Sequence, residues 1–141
     1  MTRSLAIFAC CSLLVAIPTT PALIHSQPAK AVDADWPLFR GNALQTGVAQ
    51  TTLPDKLDIR WKVQLKKGIE STAAIVKDTV YIGCYDDHLH AFDLKTGKQR
   101  WKTKLGAIKA PPSVHDGKVF VGDEDGMFYC VDAENGKKLW D

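Results

Sequence analysis

Four groups of residues have types and spacings that could support chemistry. His88 and His90 stand two apart, which on a β-strand places both imidazoles on one face, as a zinc-binding pair requires. Asp123-Glu124-Asp125-Gly126 sets three carboxylates before a glycine, in the manner of a Ca²⁺ loop whose oxygen ligands alternate along the chain. Cys84 and Cys130 offer two thiols, and Cys10-Cys11 is a vicinal pair. Lys62, Lys66 and Lys67 form a short basic run. What these groups can do depends on the elements that carry them.

Those elements repeat. A shift of 39 residues superposes Val80 on Val119, Gly83 on Gly122, Asp86 on Asp125, Asp93 on Asp132, Gly97 on Gly136, Lys98 on Lys137 and Trp101 on Trp140. These are seven identities over 24 aligned positions. Trp61-Lys62 and Leu65 match Trp101-Lys102 and Leu105 at a shift of 40, so one residue is lost between Leu105 and Val114. Each period reads as four short strands. In the second copy, Pro112 to His115, Lys118 to Gly122, Met127 to Asp132 and a strand beginning at Lys138-Leu139-Trp140 are rich in β-branched and aromatic residues. Asp116-Gly117, Asp125-Gly126 and Glu134-Asn135-Gly136-Lys137 supply the turns. The first copy turns at Lys77-Asp78, Asp86-Asp87 and Lys95-Thr96-Gly97-Lys98. No window has the period of an amphipathic helix.

The repeat tempers the chemistry. His88 and His90 correspond to Met127 and Tyr129, which are not ligands of that kind, so strand packing is the expected role of the pair. Asp123 to Gly126 falls where a hairpin turn is required and lacks further Ca²⁺ ligands. The lysine run reads as edge protection, and Pro111-Pro112 as the start of a first strand. Cys84 and Cys130 lie on different copies, and both a disulfide and two buried thiols remain open. No catalytic, cofactor-binding or metal-binding residue is assigned. The residues singled out are structural: Gly83, Asp93, Gly97, Trp101, Gly122, Asp132, Gly136 and Trp140.

Residues 1–31 have the layout of a secretory signal. Arg3 precedes the uncharged, mostly apolar run Leu5 to Ile17, and Ala29-Lys30-Ala31 offers a small-x-small cleavage site. The apolar run is shorter than the roughly 20 residues a membrane-spanning helix needs. Cys10 lies inside that run, which argues against lipoprotein anchoring. Export to the periplasm or the extracellular space follows as the expectation. Cleavage would remove two bases and no acid, leaving 16 bases against 16 acids in 110 residues. That balance argues against a nucleic-acid partner and against binding of anionic lipid. Cleavage would also remove Cys10-Cys11.

A four-stranded antiparallel unit of about 39 residues is the blade of a β-propeller, and blades bury their faces by stacking on one another. The expected fold is all-β, with about two blades in an incomplete ring, because 110 residues cannot supply the four or more blades of a closed one. One face of the stack should then be exposed. Trp140-Asp141 gives a WD dipeptide, but Lys follows both Trp61 and Trp101, and no Gly-His opens a unit.

The segments Val80-Tyr81-Ile82-Gly83, Asp86, Leu89-His90-Ala91-Phe92-Asp93, Thr96-Gly97-Lys98 and Trp101, with their second copies, resemble the PQQ-like propeller repeat. In that family an Ala-x-Asp-x-x-Thr-Gly-x-x-x-Trp stretch forms a tryptophan-docking motif. Ala91 to Trp101 matches it fully, and the second copy departs at Cys130 and Asn135. Asp35-Trp36-Pro37-Leu38-Phe39-Arg40-Gly41-Asn42 with Thr46-Gly47 is similar to the lead-in of secreted BamB-like members.

The chain is thus expected to divide into the signal at 1–31, a lead-in at 32–56 and propeller repeats over 57–141, the last two as the resemblance implies. The repeats divide into an outer strand at 57–65 and blade units at about 66–105 and 106–141. The resemblance also implies two functional branches. One is a non-enzymatic scaffold that binds protein partners at the cell envelope, which the residues favour. The alternative is the N-terminal part of a quinoprotein alcohol or sugar dehydrogenase, which would take PQQ and Ca²⁺ and characteristically carries a vicinal disulfide. The only Cys-Cys here is Cys10-Cys11, within the signal.

Overall fold

A computed structural model describes residues 35–141. The expected signal at 1–31, with Cys10-Cys11, lies outside the described residues. Eight strands follow in chain order: β1 (Ala74–Val76), β2 (Thr79–Cys84), β3 (His88–Asp93), β4 (Gln99–Lys104), β5 (Ser113–His115), β6 (Lys118–Gly122), β7 (Phe128–Asp132) and β8 (Lys138–Trp140). They form two antiparallel sheets, β1-β2-β3-β4 and β5-β6-β7-β8, and no helix occurs among the described residues. The described residues are all-β and form two propeller blades.

The 39-residue period holds to the level of single hydrogen bonds. Leu94 N–H donates to the Asp78 carbonyl, and Ala133 N–H to that of Gly117, both at 2.9 Å. Tyr85 N–H reaches the Gly68 carbonyl (3.1 Å), as Glu124 N–H reaches that of Ala107 (3.0 Å). The same β-bulge interrupts β3–β4 at Ala91/Phe92 and β7–β8 at Cys130/Val131. Gly68 and Ala107 are 39 apart whereas Leu65 and Leu105 are 40 apart, so the lost residue lies between Leu105 and Ala107.

Side-chain alternation gives each blade two faces. Tyr81, Leu89, Ala91 and Trp101 line one face of the first blade and pack against Val119, Val121, Tyr129 and Val131 of the second. Ile108, in the connection between blades, is fully buried among them, and its N–H donates to the Cys84 carbonyl (3.2 Å). The lead-in is stitched to both innermost strands. Trp36 exchanges two backbone hydrogen bonds with Ile75 (2.6 and 2.8 Å), and Pro37 accepts one from Val114 (2.8 Å). Residues 57–65, expected as an outer strand, form no ladder. A fourth strand pairs with the third strand of its own blade, and no such strand lies beside this segment among the described residues.

Candidate functional site

The docking turns are built identically at two places. Asp93 Oδ1 accepts hydrogen bonds from the backbone N–H of Lys95 (3.1 Å) and Thr96 (2.8 Å), and Thr96 Oγ1 accepts from Lys98 N–H (3.3 Å). Asp132 Oδ1 takes the N–H groups of Glu134 and Asn135 (both 3.0 Å), and Asn135 Oδ1 accepts from Lys137 N–H (2.9 Å). Asn135 therefore performs the turn function of Thr96, which explains why the departure from the motif is tolerated. Cys130, standing where the first copy has Ala91, is as fully buried as that alanine. Each turn then receives a tryptophan. Trp61 Nε1–H donates to the Leu94 carbonyl (2.9 Å), and Trp101 Nε1–H donates to that of Ala133 (3.1 Å). Trp140 follows the same spacing but is 47% exposed, its ring tilted against those of Phe120 and Phe128 (6.1 and 6.0 Å).

Arg100 adds a charge to the first turn that the second lacks, its counterpart being Leu139. Its guanidinium donates to Asp93 Oδ2 (2.7 Å) and to the Asp78 carbonyl (3.1 Å). The Arg100 hydrogen bond, followed by those from Thr96, holds the Asp93 carboxyl well below its ordinary 3.8. A carboxyl whose folded-state pKa is depressed stabilises the fold above its unfolded value and loses that contribution as pH falls through the folded one. Asp93→Asn is therefore expected to lower stability at neutral pH. In urea melts across pH, its deficit relative to wild type should shrink as pH drops below 3.8. A deficit constant with pH would contradict this reading.

The residues with the widest chemical range meet elsewhere, at the end of the β2–β3 hairpin. Register places Cys84 opposite His88 and Ile82 opposite His90, so the thiol and both imidazoles share one face. Asp86, in the connecting turn, is brought over them. One ligand atom from each of Cys84, Asp86 and His90 lies within 4.8 Å of the others. Asp86 Oδ1 and Oδ2 lie 3.0 and 3.2 Å from His90 Nε2. Burial pushes the Asp86 carboxyl upward, but the hydrogen bond and charge of His90 outweigh it, with smaller contributions from Cys84 and His88, and the net shift is downward. Burial pushes the Cys84 thiol above its ordinary 9.0, so it is protonated at neutral pH. Its Sγ–H faces the Gly68 and Lys67 carbonyls (3.5 and 3.6 Å). His88 Nδ1, 2.6 Å from the Asp86 carbonyl, donates to it. His90 stacks on Phe92 (5.8 Å, 5° between planes) and is only 2% exposed.

The same place in the second blade is closed by hydrogen bonds alone. Tyr129 O–H donates to Asp123 Oδ2 (2.7 Å), while Asp123 Oδ1 accepts from the N–H groups of Asp125 (3.0 Å) and Met127 (2.9 Å). The Asp123 hydrogen bond, then burial, pushes the Tyr129 phenol up to about 12. Glu124 pairs with Lys109 (2.6 Å). The Asp123 and Glu124 carboxylates are thus committed to protein donors in a hairpin turn.

Ca²⁺ takes six to eight oxygen ligands. The described residues do not fit it: the one grouping of three potential ligands among them includes a thiol and an imidazole. Cys84 and Cys130 are free and buried on separate sheets, and cannot form the vicinal pair expected of the dehydrogenase branch. The sequence pointed to His88 and His90 as the pair to weigh. The structure instead joins His90 to Cys84 and Asp86. Counting back across the three-residue turn from His88 to Cys84 was the signal available for that grouping.

Comparison with known proteins places this geometry in a family. A family model described as outer membrane protein assembly factor BamB matches residues 55–141. The chain is 32% identical over 111 residues to the 1-butanol dehydrogenase (cytochrome c) of Thauera butanivorans, covering 67% of this chain and 16% of that protein. It is 26% identical over 97 residues to the outer membrane protein assembly factor BamB of Salmonella typhimurium, covering 68% of this chain and 23% of that protein. The quinohemoprotein alcohol dehydrogenase of Comamonas testosteroni has the same fold, with a TM-score of 0.67 at 23% identity over 76% of this chain and 19% of that one. The chain thus spans less than a quarter of the length of each of these relatives. With repeat, docking turns and blade stacking all in place over the matched residues, the chain belongs to the PQQ-like repeat family described as outer membrane protein assembly factor BamB.

Proposed function

We propose that the protein is an exported, non-enzymatic propeller scaffold that binds protein partners at the cell envelope. The observation that carries this reading is the match of residues 55–141 to the family model described as outer membrane protein assembly factor BamB. Likeness to BamB agrees in kind. The test is capture from envelope extracts with the full-length protein. A specific envelope protein retained through washing supports the scaffold. Capture of none contradicts it.

A second reading rests on the similarity to 1-butanol dehydrogenase: the chain is part of a PQQ- and Ca²⁺-dependent alcohol dehydrogenase. It would be favoured by dye reduction with 1-butanol after addition of PQQ and Ca²⁺ to the full-length protein.

A further inference from the structure

We propose that Cys84, Asp86 and His90 form a binding site for a Zn²⁺-class divalent ion, at the connection through which the first blade is packed.

The donor set is the first argument. Thiolate, imidazole and carboxylate together are the ligands of tetrahedral zinc, with bonds of about 2.0–2.3 Å, which puts neighbouring ligand atoms about 3.3–3.8 Å apart. The His90–Asp86 contacts at 3.0 and 3.2 Å are already near that spacing, and no pair of ligand atoms in the cluster exceeds 4.8 Å. Closing the cluster on an ion needs movements of about an ångström or less. His88 stands beside the cluster, its Nδ1 3.6 Å from Asp86 Oδ1, but that nitrogen already donates to the Asp86 carbonyl.

The second argument is an imidazole that the protein leaves unsatisfied. Facing an ionised carboxylate, His90 Nε2 must carry a proton, so in the neutral ring Nδ1 has a free lone pair. That nitrogen is buried and has no hydrogen-bond partner. Buried polar atoms are nearly always paired, and an orphan calls for a missing partner such as an ion. A half-turn about Cβ–Cγ places Nδ1 where Cδ2 stands, beside the ring atom that meets Asp86, and leaves the shape of the ring unchanged.

The third argument is the repeat itself. Asp123, Asp125 and Tyr129 occupy the equivalent positions and close the same place with a phenol–carboxylate hydrogen bond. The first blade has replaced the aspartate and the tyrosine of that pair by Cys84 and His90, and Met127 corresponds to His88. Three changes on one face, each to a metal-ligand type, are not what packing alone asks for. Oxygen-preferring Ca²⁺ and Mg²⁺ are disfavoured by the same donors. Binding converts the Cys84 thiol to a zinc-bound thiolate and releases its proton to solvent.

The test uses the full-length protein, stripped with a chelator and titrated with Zn²⁺, and separately with Co²⁺ as a spectroscopic stand-in. We expect one equivalent of Zn²⁺, release of about one proton per ion near neutral pH, and a thiolate-to-Co²⁺ charge-transfer band. Cys84→Ser should abolish the band, and His90→Gln should weaken Zn²⁺ binding by about 100-fold or more. Cys130→Ser should leave both unchanged. Wild-type protein that binds no Zn²⁺, binds it without proton release, or gives a Co²⁺ spectrum lacking the thiolate band would overturn the proposal whether or not the variants fold. So would a band that survives Cys84→Ser or disappears in Cys130→Ser. These readouts are independent of any protein partner or of dehydrogenase activity.

Discussion

Replacing Trp101 by alanine is expected to destabilise the protein by about 3–5 kcal/mol, the cost typical of truncating a large buried aromatic residue. Trp101 stands on β4 of the first blade but is completed by the second. Its ring lies against Gly136, its Nε1–H donates to the Ala133 carbonyl, and the Tyr81 ring sits 5.8 Å away. The Ala133 carbonyl also accepts from Tyr81 O–H (3.1 Å), so one oxygen on the second blade holds two aromatic side chains of the first. Truncation removes the apolar contact and leaves a cavity between the blades. Trp101→Phe should cost less, about 1–2 kcal/mol, because most of the ring remains and Tyr81 still satisfies the carbonyl. Trp140→Ala, at the same motif position but half exposed, should cost less than Trp101→Ala. Urea unfolding monitored by circular dichroism measures the series. Equal losses for Trp101→Ala and Trp140→Ala would show that docking does not hold the blades together.

Gly136→Ala is the converse change, adding one methyl group. Gly136 has φ of +77°, and a Cβ there would lie 2.7 Å from the Trp101 ring and 2.9 Å from Thr103 Oγ1. Left-handed backbone costs a non-glycine residue about 1–2 kcal/mol. Forcing a methyl group into a packed contact adds about 1–3 kcal/mol. The expected loss is therefore about 2–5 kcal/mol. Gly126→Ala separates the two causes. Its φ is +86°, but a Cβ there would meet nothing within 4 Å. That variant should show only the backbone cost of about 1–2 kcal/mol. If both substitutions cost the same, the glycine is required by the turn alone and not by the docked tryptophan. Gly97, with φ of +69° and a Cβ position 2.7 Å from Trp61, should behave like Gly136.

Much of this architecture is legible in the sequence because it rests on short-range rules. Asp116-Gly117 and Glu134-Asn135-Gly136-Lys137 announce turns by their own chemistry, and the β-branched and aromatic runs between them form strands wherever two turns bring them side by side. The strand bounds Lys118–Gly122 and Lys138–Trp140 follow directly. The repeat makes the inference firmer, since the same residues recur where the same geometry is needed. Other features are not local. Ile108 sits in a segment without periodicity, and its burial arises only because the connection is trapped between two blade faces. The outer strand expected at 57–65 fails for a similar reason: strand pairing needs a neighbour, which local pattern does not supply.

The candidate metal cluster divides in the same way. Sequence alone determines that His88 and His90 share a strand face, that Asp86 lies in a turn, and that Cys84 ends the strand before it. Those facts follow from the two-residue period of a strand and from turn composition. Only the tertiary structure decides that Cys84, Asp86 and His90 converge under the Lys67-Gly68 connection, and that His90 is left with a buried nitrogen no protein group satisfies. The physical reason is that alternation fixes which face a side chain takes. Register, bulge and the packing of the connecting chain fix what it meets there.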